Sequence, residues 1–233
     1  MSDNNELTVK QAPFKIGQKL TGLAAKKAAA AQNMTMSEEE KQAILDDPSK
    51  CEHRIGIVFD DSGSMSPEQI ADAKEGCEEF LRSCGANTTA VCCYPMNIKG
   101  FKLTKNLPAL GIGIKNMNPG YGGTPLVATT EKMLDENSLN RAIVFSDGQP
   151  NSSNIESLLR REIKIDTVYI SNGYLDQVAI NFLKNLAEKT GGIYLQFERG
   201  KSNFRTAFKY LSPSLRHMLS DRSFVDKLEG RNG

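Results

Sequence analysis

Ile55-Gly56-Ile57-Val58-Phe59-Asp60-Asp61-Ser62-Gly63-Ser64-Met65 is an apolar run that stops on an acid and then alternates small polar residues with glycine. A continuous apolar run of this kind reads as a strand buried on both faces, as parallel sheets require. Ser66-Pro67-Glu68-Gln69 follows at once and reads as a helix start. Ser66 caps, Pro67 takes the first helical position, and Gln69 reaches back. The helix then places Ile70, Ala73, Cys77, Phe80, Leu81 and Cys84 on one stripe.

The same alternation continues downstream. Strands are expected over 88–94, 99–104, 140–146, 164–170 and 193–197, with 99–104 the short, more polar edge strand. Helices are expected over 107–117 and from Thr124-Pro125 to about Glu136. Another is expected after the capping-box pattern Ser153-Asn154-Ile155-Glu156, running to Glu162. The helix from Leu175 to Thr190 should bury Val178, Phe182, Leu183 and Leu186 and end at Gly191-Gly192. The helix from Asn203 should carry Phe204, Phe208 and Leu211 and break at Pro213. Strands alternating with helices imply an α/β, doubly wound, mostly parallel sheet with one short antiparallel edge strand and helices on both faces.

In such sheets, ligands sit beyond the carboxyl ends of the strands. Asp60 follows one strand and Asp147, within Ser146-Asp147-Gly148, follows another, so both clusters emerge on one edge. In an extended loop, Asp60, Ser62 and Ser64 can face one centre, and Gly63 permits a tight turn. Thr124 adds a hydroxyl from the loop Asn118-Pro119-Gly120-Tyr121-Gly122-Gly123. Oxygen-only donors suit a hard cation, Mg²⁺ or Mn²⁺ ahead of Ca²⁺. A carboxylate that binds through water leaves the ion electrophilic. One open position then favours an Asp or Glu from another protein.

Asp60-x-Ser62-x-Ser64, Thr124 within Gly-Gly-Thr-Pro-Leu, and Asp147 within Ser-Asp-Gly resemble the metal-ion-dependent adhesion site of von Willebrand factor A domains, with all five positions filled. The resemblance runs from about residue 53 to about 211. It includes Leu186–Tyr194, similar to the family's last helix-to-strand join. It implies a binding module, not an enzyme. Direct metal contacts would come from Ser62, Ser64 and Thr124, with Asp60 and Asp147 acting largely through waters. Asp61 is an additional acid, expected to point outward, with raised metal affinity as the alternative, and Ser146 stands where Thr is frequent. The Gly-Gly-Thr-Pro-Leu style is more similar to intracellular, bacterial or phage-type members. Intracellular relatives often work in multiprotein assemblies, some with AAA+ ATPases, so such an assembly is an expected partner.

Composition narrows the rest. The 233 residues carry a formal charge of +1, so no whole-protein attraction to nucleic acid or anionic membrane is expected. No apolar stretch approaches the ~18 residues of a membrane span. The opening MSDNNELTVK lacks a basic start followed by an apolar core, so no secretory leader is expected there. The five cysteines fit no zinc spacing and read as buried reduced thiols of a cytoplasmic protein. The expected division is a Lys/Ala-rich arm with short helices over 1–51, one α/β domain over 52–212, and a fraying tail over 213–233. Within the arm, Ser37-Glu38-Glu39-Glu40 reads as a capping box.

Two rival readings stay open. In one, the metal only staples the loops of a scaffold. In the other, the site is a Mg²⁺-dependent phosphoryl-transfer or hydrolase centre. That chemistry lacks its parts here: no aspartate occurs between Asp72 and Asp135 to accept phosphate, and neither His53 nor His217 lies at a strand's carboxyl end.

Overall fold

The structure, a computed structural model, describes residues 47–85, 87–171, 173–198 and 207–230. The expected arm up to residue 46, with its capping box, and the start of the helix expected from Asn203 lie outside the described residues.

The strands are β1 (His53–Phe59), β2 (Thr89–Pro95), β3 (Phe101–Thr104), β4 (Arg141–Ser146), β5 (Lys164–Ser171) and β6 (Tyr194–Glu198). They form one sheet in the order β3-β2-β1-β4-β5-β6. β3 runs antiparallel to β2, and every other neighbouring pair is parallel. Phe59 is in register with Phe145, so β1 and β4 finish side by side. That register brings the residues after each strand to one place.

The helices are α1 (Pro67–Ser83), α2 (Leu107–Asn116), α3 (Leu126–Glu136), α4 (Glu156–Leu159), α5 (Gln177–Thr190) and α6 (Arg222–Leu228). α1 starts with the expected reciprocal cap between Ser66 and Gln69, and Ile70, Ala73, Cys77, Phe80 and Leu81 are buried. α4 is a single turn. Asn154, not Ser153, accepts the Glu156 amide at 3.0 Å. The chain turns back at Glu162, whose φ is +51°, to enter β5.

Alternate residues of β1 serve two cores. Ile55, Ile57 and Phe59 join Phe80, Phe145 and Phe208 on the α1/α2 side. Val58 joins Leu126, Met133, Val144 and Leu183 on the α3/α5 side. Phe59, Phe145 and Phe208 stack edge to face, with centroids 4.6 and 5.8 Å apart. Truncating Phe145, which is fully buried, would cost about 3–5 kcal/mol. All five cysteines are free and buried.

The fraying tail expected after Ser212 is not what the described residues show. A 3₁₀ turn at Arg216–Ser220 and α6 place Leu219 and Val225 in the core. Arg216 donates to Asp166 Oδ1 at 2.7 Å. Asp166 is fully buried in β5; it also accepts from Arg141 Nε at 2.6 Å and from the Ile193 amide at 2.8 Å. The stretch is amphipathic at first and then polar, and what holds it is that its few apolar residues and Arg216 meet buried partners.

Candidate metal centre

The site forms where β1 and β4 end. Asp60 is completely buried; its Oδ1 accepts the Ser62 amide at 2.9 Å, and its Oδ2 accepts the Ser146 hydroxyl. Ser64 donates its hydroxyl to Asp147 Oδ1 at 2.7 Å. Ser62 Oγ and Ser64 Oγ are 2.9 Å apart. With the Ser64 proton committed to Asp147, the Ser62 hydroxyl is the donor between the two. The result is a chain of oxygens running from Ser62 through Ser64 to Asp147.

Thr124 reaches the same spot from the segment before α3. Asn151 accepts the Thr124 amide at 3.1 Å and donates its own amide to the Thr124 carbonyl at 2.9 Å. A Cβ built on Gly148 would lie 3.3 Å from Ser64 Oγ and 4.0 Å from Thr124 Oγ1. Both hydroxyls therefore flank the space that this glycine leaves. All five residues expected at the site are brought to this edge, with Asp60, Ser62 and Thr124 buried and Ser64 exposed. The donor set is closed beneath and open to solvent above.

Burial pushes the Asp60 carboxyl above its usual range, against the pull of hydrogen bonds from Ser146 and Ser62. Burial also raises Asp147, offset by Ser64 and reinforced by the charge of Asp60. Two carboxyls held this way suit a cation between them. Among the described residues, no cluster of three or more His, Cys, Asp or Glu side chains is placed to hold a metal. The candidate set is instead three hydroxyls and two carboxylates around the cradle left by Gly148. Such donors fit a hard divalent ion.

Asp61 does not point outward. It is fully buried, and its carboxylate accepts from the Asn97 amide at 2.8 Å, from Asn97 Nδ2 at 3.1 Å and from the Gly120 amide at 2.8 Å. Asn97 Nδ2 also donates to the Gly123 carbonyl at 2.9 Å. Backbone bonds from Tyr121 N to Asp61 O and from Gly63 N to Gly122 O, both 2.9 Å, complete the stitching. Tyr121 is held at a φ of +51°, a region that costs a bulky residue about 1–2 kcal/mol. A Cβ on Gly120 would come within 2.5 Å of Asn97 Cβ, so this loop needs glycine there. Asp61, Asn97, Ser146 and Asn151 are the supporting residues that the motif reading did not assign. For Asn97, the available signal was its place just beyond the carboxyl end of β2, next to β1.

Comparisons with solved structures find related folds. The chain is similar to an aerotolerance-related membrane protein from Bacteroides fragilis, with TM-score 0.58 and 13% identity over 71% of this chain and 100% of that one. It is similar to a von Willebrand factor type A structure from Catenulispora acidiphila, with TM-score 0.52 and 17% identity over 68% of this chain and 42% of that one. It is also similar to the manganese-loaded TRAP protein of Plasmodium vivax, with TM-score 0.52 and 15% identity over 70% and 73%. The fold is that of a von Willebrand factor type A domain. At these identities the likeness is one of fold alone. Neither a family model nor a curated protein matches the sequence. No helix among the described residues is long and apolar enough to cross a membrane.

Proposed function

We propose that this type A fold is a divalent-metal-dependent protein-binding module. Asp60, Ser62, Ser64, Thr124 and Asp147 would hold Mg²⁺ or Mn²⁺, with Ca²⁺ a poorer fit. The observation that carries this reading is the oxygen chain from Ser62 through Ser64 to Asp147, set under the Gly148 cradle. When bound, the ion supplies a Lewis-acidic point that accepts a carboxylate from a partner protein. Three helices, α1, α3 and α5, begin at this edge of the sheet, and their positive ends favour an incoming negative charge.

The role is binding rather than catalysis. His53 begins β1 and His217 lies in the 3₁₀ turn, so neither lies at the carboxyl edge to activate a serine. A purely stapling ion is disfavoured because Asp61 and Asn97 already hold the loops with protein hydrogen bonds. The setting we propose is the cytoplasm, within a multiprotein assembly, an AAA+ ATPase complex being one such setting. Nucleic acid and membrane are not proposed as partners.

The test is thermal melting in Mg²⁺, in Mn²⁺ and in chelator. Binding of an ion to the folded state alone at about 100 times its Kd stabilises by about 2.7 kcal/mol. The wild type is expected to gain stability with either ion, and Ser62→Ala combined with Ser64→Ala is expected to lose that gain while melting cooperatively. Equal melting of the wild type with ion and with chelator would refute the reading.

A further inference from the structure

The helix pattern from Leu175 to Thr190 would bury Val178, but the structure does not. α5 begins at Gln177, capped by Asp176, and it buries Ala179, Ile180, Phe182 and Leu183 instead. Leu175 is 52% exposed, Val178 59% and the adjacent Tyr174 89%. Five large apolar side chains are highly exposed among the described residues, and three of them fall in these five positions. A fourth, Tyr121, sits on the loop that carries Thr124. Single exposed apolar residues are ordinary, but a cluster marks an interaction surface.

This cluster is displayed on a fixed frame. The Tyr174 carbonyl accepts from Ser171 Oγ at 2.8 Å and from the buried Tyr169 hydroxyl at 3.2 Å. The Asp176 amide donates to that same Tyr169 hydroxyl at 2.8 Å. Gly173 turns the chain at a φ of +98°. Side chains held out in this way lose little further backbone freedom on binding.

The cluster also adjoins the metal centre. β5 is the neighbour of β4, so the segment after β5 lies beside the segment after β4. Gln149, two residues past Asp147, donates to the Asp176 carboxylate at 3.1 Å. Asp176 stands between Leu175 and Val178 in sequence and joins the two surfaces. A chain that brings a carboxylate to the ion can lay its neighbouring residues over this patch.

We infer that Tyr174, Leu175 and Val178 form the apolar half of the interface whose polar half is the ion. The partner is a protein segment that presents an Asp or Glu next to an aliphatic or aromatic side chain. The inference rests on the ion-binding reading proposed above. It selects among acidic segments, because an acid flanked only by polar residues gains nothing from the patch.

The probe is a phage library of random constrained peptides, selected in Mg²⁺ on the full chain. Parallel selections use Tyr174→Ser/Leu175→Ser/Val178→Ser and Ser62→Ala/Ser64→Ala. Tyr174→Ser alone, at the most exposed position, serves if the triple variant does not melt as the wild type does. Wild type is expected to enrich Asp or Glu with an apolar residue within three positions. The consensus peptide should bind the patch variant about tenfold more weakly, in keeping with the loss of one apolar contact. An acidic consensus with no apolar neighbour, bound equally by both proteins, overturns the patch and leaves the ion reading standing. Loss of acid selection on the wild type, or binding unchanged by chelator, overturns the ion reading and the inference with it. A wild-type dimer in sedimentation that the patch variant loses assigns the surface to a second copy of this chain and also overturns the inference.

Discussion

Ser64 and Asp147 lie 83 residues apart in sequence and 2.7 Å apart in space, hydroxyl to carboxylate, joined only because β1 and β4 end in register. The contact is exposed, and Gly148 lies beside it. Gly148→Ala puts a methyl 3.3 Å from Ser64 Oγ, where an ion would need the room. The expected outcome is a Mg²⁺ affinity reduced at least about tenfold with a melting temperature in chelator near that of wild type. Calorimetric titration checks it, and an unaltered affinity would show that the glycine is only a turn residue.

The carboxyls make the site sensitive to pH. Asp60 and Asp147 are both raised from 3.8, mainly by burial. A folded-state value above the unfolded one means the folded chain binds the extra proton. Without an ion, the contribution of these two groups is therefore greatest below 3.8 and is lost as pH rises through the raised values. Ion binding runs the other way, because it needs the carboxylates ionised. The Mg²⁺-induced rise in melting temperature should grow with pH and fade on acidification. A rise that stays constant between about pH 4 and pH 8 contradicts the assignment.

Asp166 gathers Arg141, Arg216 and the Ile193 amide while fully buried. Asp166→Ala leaves Arg141 charged in a site where burial already depresses its pKa. The cost is expected to be about 3–5 kcal/mol in urea denaturation. Arg216→Ala, with Arg141 still in place, is expected to cost less and to loosen the segment after Ser212. Hydrogen exchange over 213–230 reads that directly; protection equal to wild type would mean the apolar contacts of Leu219 and Val225 suffice.

Gly191 and Gly192 end α5 for different reasons. Gly191 closes the helix at a φ of +69°, with open space where a side chain would go. Gly192 packs its α-carbon against the Ile165 carbonyl, and a Cβ there would run into the backbone of β5. Gly191→Ala should cost about 1 kcal/mol. Gly192→Ala should cost clearly more, because β5 and β6 must separate to admit it. Paired melting curves settle the order.

The thiols should be silent in the folded chain. Burial lifts Cys84 and Cys92 to about 12 and raises Cys51, Cys77 and Cys93 as well. A thiol reagent at mildly alkaline pH is expected to modify none of the five before denaturant is added and all five afterwards. Rapid labelling of any one in the native state would place it at an opening that the structure does not have.

Much of this was legible in the chain because strong local signals agreed with the global fold. Ser66-Pro67-Glu68-Gln69 sets α1 by its own hydrogen bonds, and apolar runs such as Ile55–Phe59 can be satisfied only inside a covered sheet. The clusters at Asp60 and Asp147 could be placed on one edge because parallel strands all point the same way, and Thr124 joined them through the family resemblance. Three features were less legible. Asp61 was assigned to solvent because its partners, Asn97 and Gly120, come from distant loops. Val178 fits an apolar helix face, but Asp176 starts the helix later and turns Val178 outward. The segment after Ser212 is too polar to announce its packing, since its anchor is a charge meeting a buried acid. For Asp61 and the segment after Ser212 tertiary contact outweighed local pattern; for Val178 the Asp176 cap did.

The stitching of Asp61 to Asn97 and Gly120 has a kinetic corollary. A cup whose walls are already tied needs no ordering step before it can be filled. On the metal-binding reading proposed above, capture would keep time with the cation's own shedding of water, which is slow for Mg²⁺. Exchanging one ion for another would then reset that clock while leaving the vessel's shape as it was.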